Sequence, residues 1–190
     1  MIDDHLPSRT FLTKALSGGG FEVVGEGVSG KGALRLAQAI APDVILMAVG
    51  LTDMDGISAA QGIMEESPFP IVLLTGHYET ETIERAKGAG VMAYLIKPLR
   101  EQELLPTIEL AISRFSEFIS LRKENDDLKK TLEARKTIER AKGILMKNHG
   151  LSEAEAFSRI QRKSMDMRKP IVEIAQAIIL AEEMSGERRA

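Results

Sequence analysis

The side chains able to do chemistry fall into two groups. The denser is basic: Lys136, Arg140, Lys142 and Lys147 lie within twelve residues, followed by Arg162, Lys163, Arg168 and Lys169. Cations at this density can neutralise the phosphates of a nucleic acid; the simpler reading is a solvated helix face. The sparser group is the acidic pair Asp3-Asp4, the hydroxyl of Thr75 and the amine of Lys97. No nucleophile lies beside a base, and Gly18-Gly19-Gly20 follows a helical segment and precedes a strand-like one, so it reads as a turn rather than a phosphate cradle. A catalytic function is not expected. With no cysteine, disulfides and thiolate metal sites are excluded.

Charge is divided unevenly along the 190 residues. Residues 1–120 hold nine basic and sixteen acidic side chains, whereas residues 121–190 hold sixteen and twelve. The net charge of −3 thus hides a basic C-terminal part suited to an anionic partner. No apolar run approaches the roughly 18 residues of a membrane span, and the N-terminus MIDDHLPSR is acidic where a secretory signal is basic. A cytoplasmic protein with no membrane partner is expected.

The sparse group needs a scaffold, and the first hundred residues predict one. Helical segments at 8–16, 30–40, 56–66 and 79–88 alternate with strand-like segments at 22–26, 44–49, 70–75 and 93–96. Continuous apolar strands between helices imply a parallel sheet covered on both faces, an α/β domain. Polar groups at the strand C-termini then share one crevice. Those ends carry Asp3-Asp4, Ala48, Thr75 and Lys97-Pro98.

The acidic pair, PDVILM with MDG at Met54–Gly56, LLTGH at Leu73–His77 and AYLIKP at Ala93–Pro98 resemble a two-component receiver domain, CheY-like, over residues 1–107. The resemblance implies Mg²⁺ at Asp3 and Asp4, phosphoryl contacts from Thr75 and Lys97, and a conformational reporter at Tyr94. It also implies a sensor kinase or a regulatory protein acting on the receiver. Counting back from Met54-Asp55-Gly56, the phosphoacceptor position is Ala48, and the usual loop proline is Thr52. A methyl group neither attacks phosphorus nor ligates a hard cation, so phosphotransfer is not expected and Mg²⁺ binding is in doubt. Only Met1-Ile2 represent the family's central first strand, so a truncated or misplaced start is expected.

A connector helix, residues 108–130, continues from the last receiver helix. Phe118, Leu121, Asn125, Leu128 and Leu132 alternate in steps of three and four, the seam of a two-stranded coiled coil, with Asn125 able to pair with its twin. A homodimer is expected; the alternative is packing of Phe115, Phe118 and Leu121 on the chain's own domains.

Residues 131–190 predict an all-α three-helix domain. The first helix stops at Asn148-His149-Gly150, Ser152 and Glu155 form a capping box for the second, and Pro170 starts the third. Ala156, Phe157 and Ile160 should face inward, with Met146 and Met165 in the core. ERAKGILM at Glu139–Met146, SEAEAF at Ser152–Phe157 and SMDMR at Ser164–Arg168 resemble the ANTAR domain of AmiR/NasR-type antitermination regulators. The resemblance implies a dimer that binds paired RNA stem-loops and blocks an intrinsic terminator. The RNA-binding residues expected on it are Lys136, Arg140, Ala141, Lys142, Gly143, Lys147, Arg162, Lys163, Arg168 and Lys169, with Ala141 and Gly143 allowing close approach of RNA or of another helix. A DNA-binding regulator ranks lower because PIVEIAQAII offers few base-reading side chains. A pseudo-receiver that sequesters a protein partner is the remaining alternative.

Overall fold

The computed structural model describes residues 1–76 and 80–187. His77, the last residue of LLTGH, and Glu79, the expected first residue of a helix, lie outside the described residues. Two units are present, Met1–Ser120 and Leu121–Ala190.

In the first unit the apolar runs form strands β1 (Ile45–Ala48), β2 (Ile71–Thr75) and β3 (Ala93–Ile96). They pair in parallel in the order β1-β2-β3, with Ile45 opposite Ile71 and Val72 opposite Ala93. Every residue of β1 and β2 is buried, as a sheet covered on both faces demands. Side chains alternate between two layers. Ile45, Met47, Ile71 and Leu73 pack with Ala33 and Ala37 of α2 (Gly30–Ile40) and with Ile57, Ala60 and Ile63 of α3 (Gly56–Glu66). Leu46, Val72 and Leu74 pack with Leu12 and Leu16 of α1 (Leu6–Gly18) and with Leu104, Ile108 and Ala111 of α5 (Glu101–His149). Each fully buried leucine or isoleucine contributes about 1.5–3 kcal/mol of transfer free energy. Helix α4 (Thr80–Gly88) joins β2 to β3.

The strand expected at 22–26 does not form. Only Gly27 bridges to Ile2, and Ile2 bridges on its other side to Met47. Ile2 N–H donates to Leu46 O at 2.8 Å and Ala48 N–H donates to Ile2 O at 2.8 Å, so this one residue stands between two partners. Beside residues 22–26 the pairing is confined to Gly27, which donates to Met1 O at 2.9 Å and accepts from Asp3 N–H at 3.0 Å, while the Met1 ammonium donates to Gly25 O at 2.6 Å. An apolar cavity of about 70 Å³ between Val23, Ala37, Ile40 and Ile45 lies beside it.

Helix α5 runs 49 residues without a break, with Pro106 inside its second turn. It ends before Gly150, whose φ of +66° suits a residue lacking Cβ. In the second unit α6 (Glu153–Met167) and α7 (Ile171–Glu187) pack on its C-terminal portion. The capping box forms: Glu155 N–H donates to Ser152 Oγ at 3.4 Å and Ser152 N–H donates to Glu155 Oε2 at 2.8 Å. The core is Ala141, Leu145, Ala156, Ile160, Ile174 and Ala175. Three of these are alanines with no exposed area, so the helices approach closely. One expectation is corrected: Phe157, Met146 and Met165, expected inside, are 41 %, 39 % and 65 % exposed. The inward positions beside them are taken by Ala156, Ile160 and Leu145, with Ile138, Leu151, Ile171, Ile178 and Ile179 packed around the edge.

Candidate functional site

The crevice at the strand ends brings most of the sparse group together. Ala48, Val49, Gly50, Leu74, Thr75, Gly76 and Lys97 line a cleft of about 370 Å³. Ala48 is buried at the end of β1, and a side chain at Gly56 would collide with its carbonyl, so the loop that follows must close tightly over it. Lys97 Nζ donates to Asp3 Oδ2 at 2.6 Å, and His5 N–H donates to Asp3 Oδ1 at 3.0 Å. Asp3 is fully buried, whereas Asp4 is exposed and Tyr94 is 38 % exposed.

These donors do not fit a divalent cation. Both Asp3 oxygens already accept hydrogen bonds, and the third position offers a methyl group. Among the described residues no group of three or more His, Cys, Asp or Glu could hold a metal ion. The resemblance implies Mg²⁺ at Asp3 and Asp4; in this structure Asp3 carries the counter-charge of Lys97 and Asp4 is exposed.

Two carboxylates absent from the expected site organise the loop after Ala48. Asp53 accepts from Gly30 N–H at 2.8 Å and Lys31 N–H at 3.2 Å, capping α2 from another segment. Desolvation pushes its carboxyl up, but those backbone donors and Ser29 hold it below the ordinary range overall. Asp55 caps α3 through Ile57 N–H and pairs with Arg85 of α4. The DxDG run signals a cap at Asp55; nothing local in the sequence shows that Asp53 reaches α2.

The basic group resolves into a stripe and a buried member. Lys136, Arg140, Gly143 and Lys147 follow one another by four, three and four residues and are all exposed, so they share one face of α5. No atom lies within 4 Å of where a Gly143 side chain would stand, so helix packing does not require this glycine. Ala141 faces the other way and has no exposed area, so it is corrected from a contact residue to a core residue. Lys142 is also buried, at 7 % exposure, and its ammonium reaches Glu139 at 2.8 Å and Glu153 at 2.7 Å. It ties α5 to the first turn of α6 and is not a free phosphate contact. Arg162, Lys163, Arg168 and Lys169 are exposed around the α6–α7 turn. Arg168 caps α6 with φ +52°, and Lys169 pairs with Glu173 at 3.5 Å.

Family models match both units: a response regulator receiver domain over residues 1–109 and an ANTAR domain over residues 126–179. The transcriptional regulatory protein PdtaR of Mycobacterium tuberculosis is 42 % identical over 179 residues, covering 94 % of this chain and 87 % of that protein. The chain belongs to the ANTAR response regulators. The response regulator protein VraR of Staphylococcus saprophyticus is 34 % identical over 62 % of this chain and 57 % of its own length. Among solved structures, the receiver domain of NarL from Mycobacterium tuberculosis aligns with TM-score 0.57 and 31 % identity over 59 % of this chain and 92 % of that one. The response regulator domain of Thermotoga maritima CheB aligns with TM-score 0.56 and 25 % identity, covering the same shares.

These families regulate rather than catalyse, and the ANTAR domain is an RNA-binding module. No helix among the described residues is long and apolar enough to cross a membrane. In this ANTAR domain the Lys142 triad should make stability depend on pH. Its hydrogen bonds to the Glu139 and then the Glu153 carboxylate raise the Lys142 ammonium, and Lys142 holds the Glu153 carboxyl down. A depressed carboxyl contributes stability above its unfolded value and loses it as pH falls through the folded one. A raised ammonium loses its share only as pH rises through its folded value. Thermal melts of Lys142→Met should therefore lose less stability than wild type between neutral and acid pH; equal acid sensitivity would remove the triad from the account.

Proposed function

We propose that this protein is a cytoplasmic, dimeric antiterminator that binds a two-hairpin leader RNA through the α5 stripe, with a receiver that works without phosphoryl transfer. The observation that carries the reading is the exposed row Lys136, Arg140, Gly143 and Lys147 within the ANTAR match. Its cations suit phosphates, and its glycine leaves space at the centre for a backbone or a splayed loop base. Arg162, Lys163 and Arg168 add a second exposed cluster.

Dimerisation is supported by the connector. Phe118, Leu121, Leu128 and Leu132 are 39 %, 58 %, 63 % and 53 % exposed, and Asn125 on the same seam is also exposed. Four large apolar side chains in one row are costly in water unless a second helix covers them. Leu121→Asp with Leu128→Asp should leave each protomer folded, yield a monomer by sedimentation, and weaken two-hairpin RNA binding about a hundredfold through lost bivalency. A monomeric wild type would sink the dimer.

With Ala48 at the acceptor position, input to the receiver comes from a regulatory protein on its surface rather than from a sensor kinase's phosphoryl group. Acetyl phosphate with Mg²⁺ should leave the intact mass unchanged. A phosphoryl adduct in the crevice would refute phosphorylation-independent control. The whole reading is tested by gel shift against two-hairpin RNA at graded salt: binding that ignores substitution of the loop bases rules out hairpin recognition.

A further inference from the structure

The stripe is not bordered by open solvent. Glu183 of α7 reaches over to Arg140, Oε1 to Nη2 at 2.8 Å, and the neighbouring Glu182 accepts from Asn148 Nδ2 at 2.6 Å. On the other flank Glu153 of α6 holds Lys142. A carboxylate of α7 thus occupies the guanidinium donors that a phosphate would use, and the two compete for Arg140. The Arg140–Glu183 pair is exposed on both sides, 62 % and 53 %, so it is weak enough to exchange. The Lys142 pair, with the lysine side chain 8 % exposed, is the fixed member.

We propose that Glu182 and Glu183 form an anionic strap that occupies Arg140 and Asn148 in the RNA-free protein, lowers basal RNA affinity, and is displaced when phosphates arrive. Resting on the RNA-binding reading, the strap converts a permanently basic face into one that only a ligand of dense negative charge can open. It also makes Asn148 a contact released together with Arg140.

The test compares affinity for a two-hairpin RNA at one ionic strength among the full-length wild type, Glu182→Gln/Glu183→Gln, and a control of equal charge change, Glu124→Gln/Asp126→Asn, on the exposed connector. The strap substitutions are repeated in an Arg140→Ala background, with circular dichroism melts to verify folding. The strap variant should bind about two- to tenfold more tightly, the control should gain less, and the gain should vanish without Arg140. A gain equal to the control's, or one that persists with Arg140→Ala, would show only general repulsion and overturn the strap while leaving RNA binding intact. If neither wild type nor strap variant prefers hairpin RNA over a scrambled sequence, the RNA reading falls and the strap with it. Because Gln keeps the size and polarity of Glu, a strap variant that melts far below wild type would assign these pairs to folding and likewise overturn the proposal.

Discussion

Replacing Lys136, Arg140 and Lys147 together by alanine should weaken two-hairpin RNA binding by about a hundredfold or more, with the fold retained. All three side chains are exposed on one face of α5 and none belongs to the core, so their removal costs the exposed Arg140–Glu183 and Lys136–Glu133 pairs and leaves that core untouched. Alanine is also the strongest helix former, so the local helix does not weaken. Each lost cation leaves one phosphate neutralised by counterions instead, and the slope of log K against log salt should fall by about 2 for three contacts at the single-strand value. Gel shifts or fluorescence anisotropy across a salt series measure both quantities. An unchanged slope would place the RNA elsewhere, with the α6–α7 turn around Arg162 and Arg168 next in line. A matched loss of helicity would instead make the effect structural.

Ile160→Ala should unfold the second unit at temperatures where the first remains intact. Ile160 is 1 % exposed and is one of six buried residues at the centre of that core, among the described residues. Truncating a buried isoleucine to alanine costs about 2–5 kcal/mol, and a core this small has few neighbours able to move into the cavity. Total stabilities of small units are themselves only about 3–5 kcal/mol, so the change takes most of what holds α6 and α7 on α5. Two separate transitions in a thermal melt followed by circular dichroism, with the earlier one strongly lowered, would show this. RNA binding should weaken with it, because the second cluster of Arg162, Lys163 and Arg168 is positioned by α6 and its turn into α7. A single transition shifted as a whole would mean that the two units unfold together.

Much of the crevice was legible because the receiver motifs are local: apolar runs 44–49, 70–75 and 93–96 predict strands whose ends carry Ala48, Thr75 and Lys97 at set offsets. The C-terminal helices were legible for a similar reason, since Ser152 with Glu155, Gly150 and Pro170 are start and stop signals read within a few residues. The strand at 22–26 misled because strand formation needs a paired partner, and a run of β-formers does not reveal which residue the pairing falls on, here Gly27. Met146, Met165 and Phe157 misled because hydrophobicity says that a side chain prefers burial, not whether the neighbouring helices leave space for it.

The order of residues along the chain settled the two families, the alanine at position 48, the uneven charge and the basic face of α5. All follow from spacing along one chain. Only the tertiary structure decided which cations remain free. Lys142 and Lys147 look alike in sequence, yet Lys142 is buried between Glu139 and Glu153 while Lys147 is exposed. Arg140 is shared with Glu183, forty-three residues away. Asp3, which sequence offers as a metal ligand, is spent on Lys97, ninety-four residues on. The physical reason is common to all three. A charge is defined by what it pairs with, and the pairing partners are brought together by packing the elements, not by their distance along the chain.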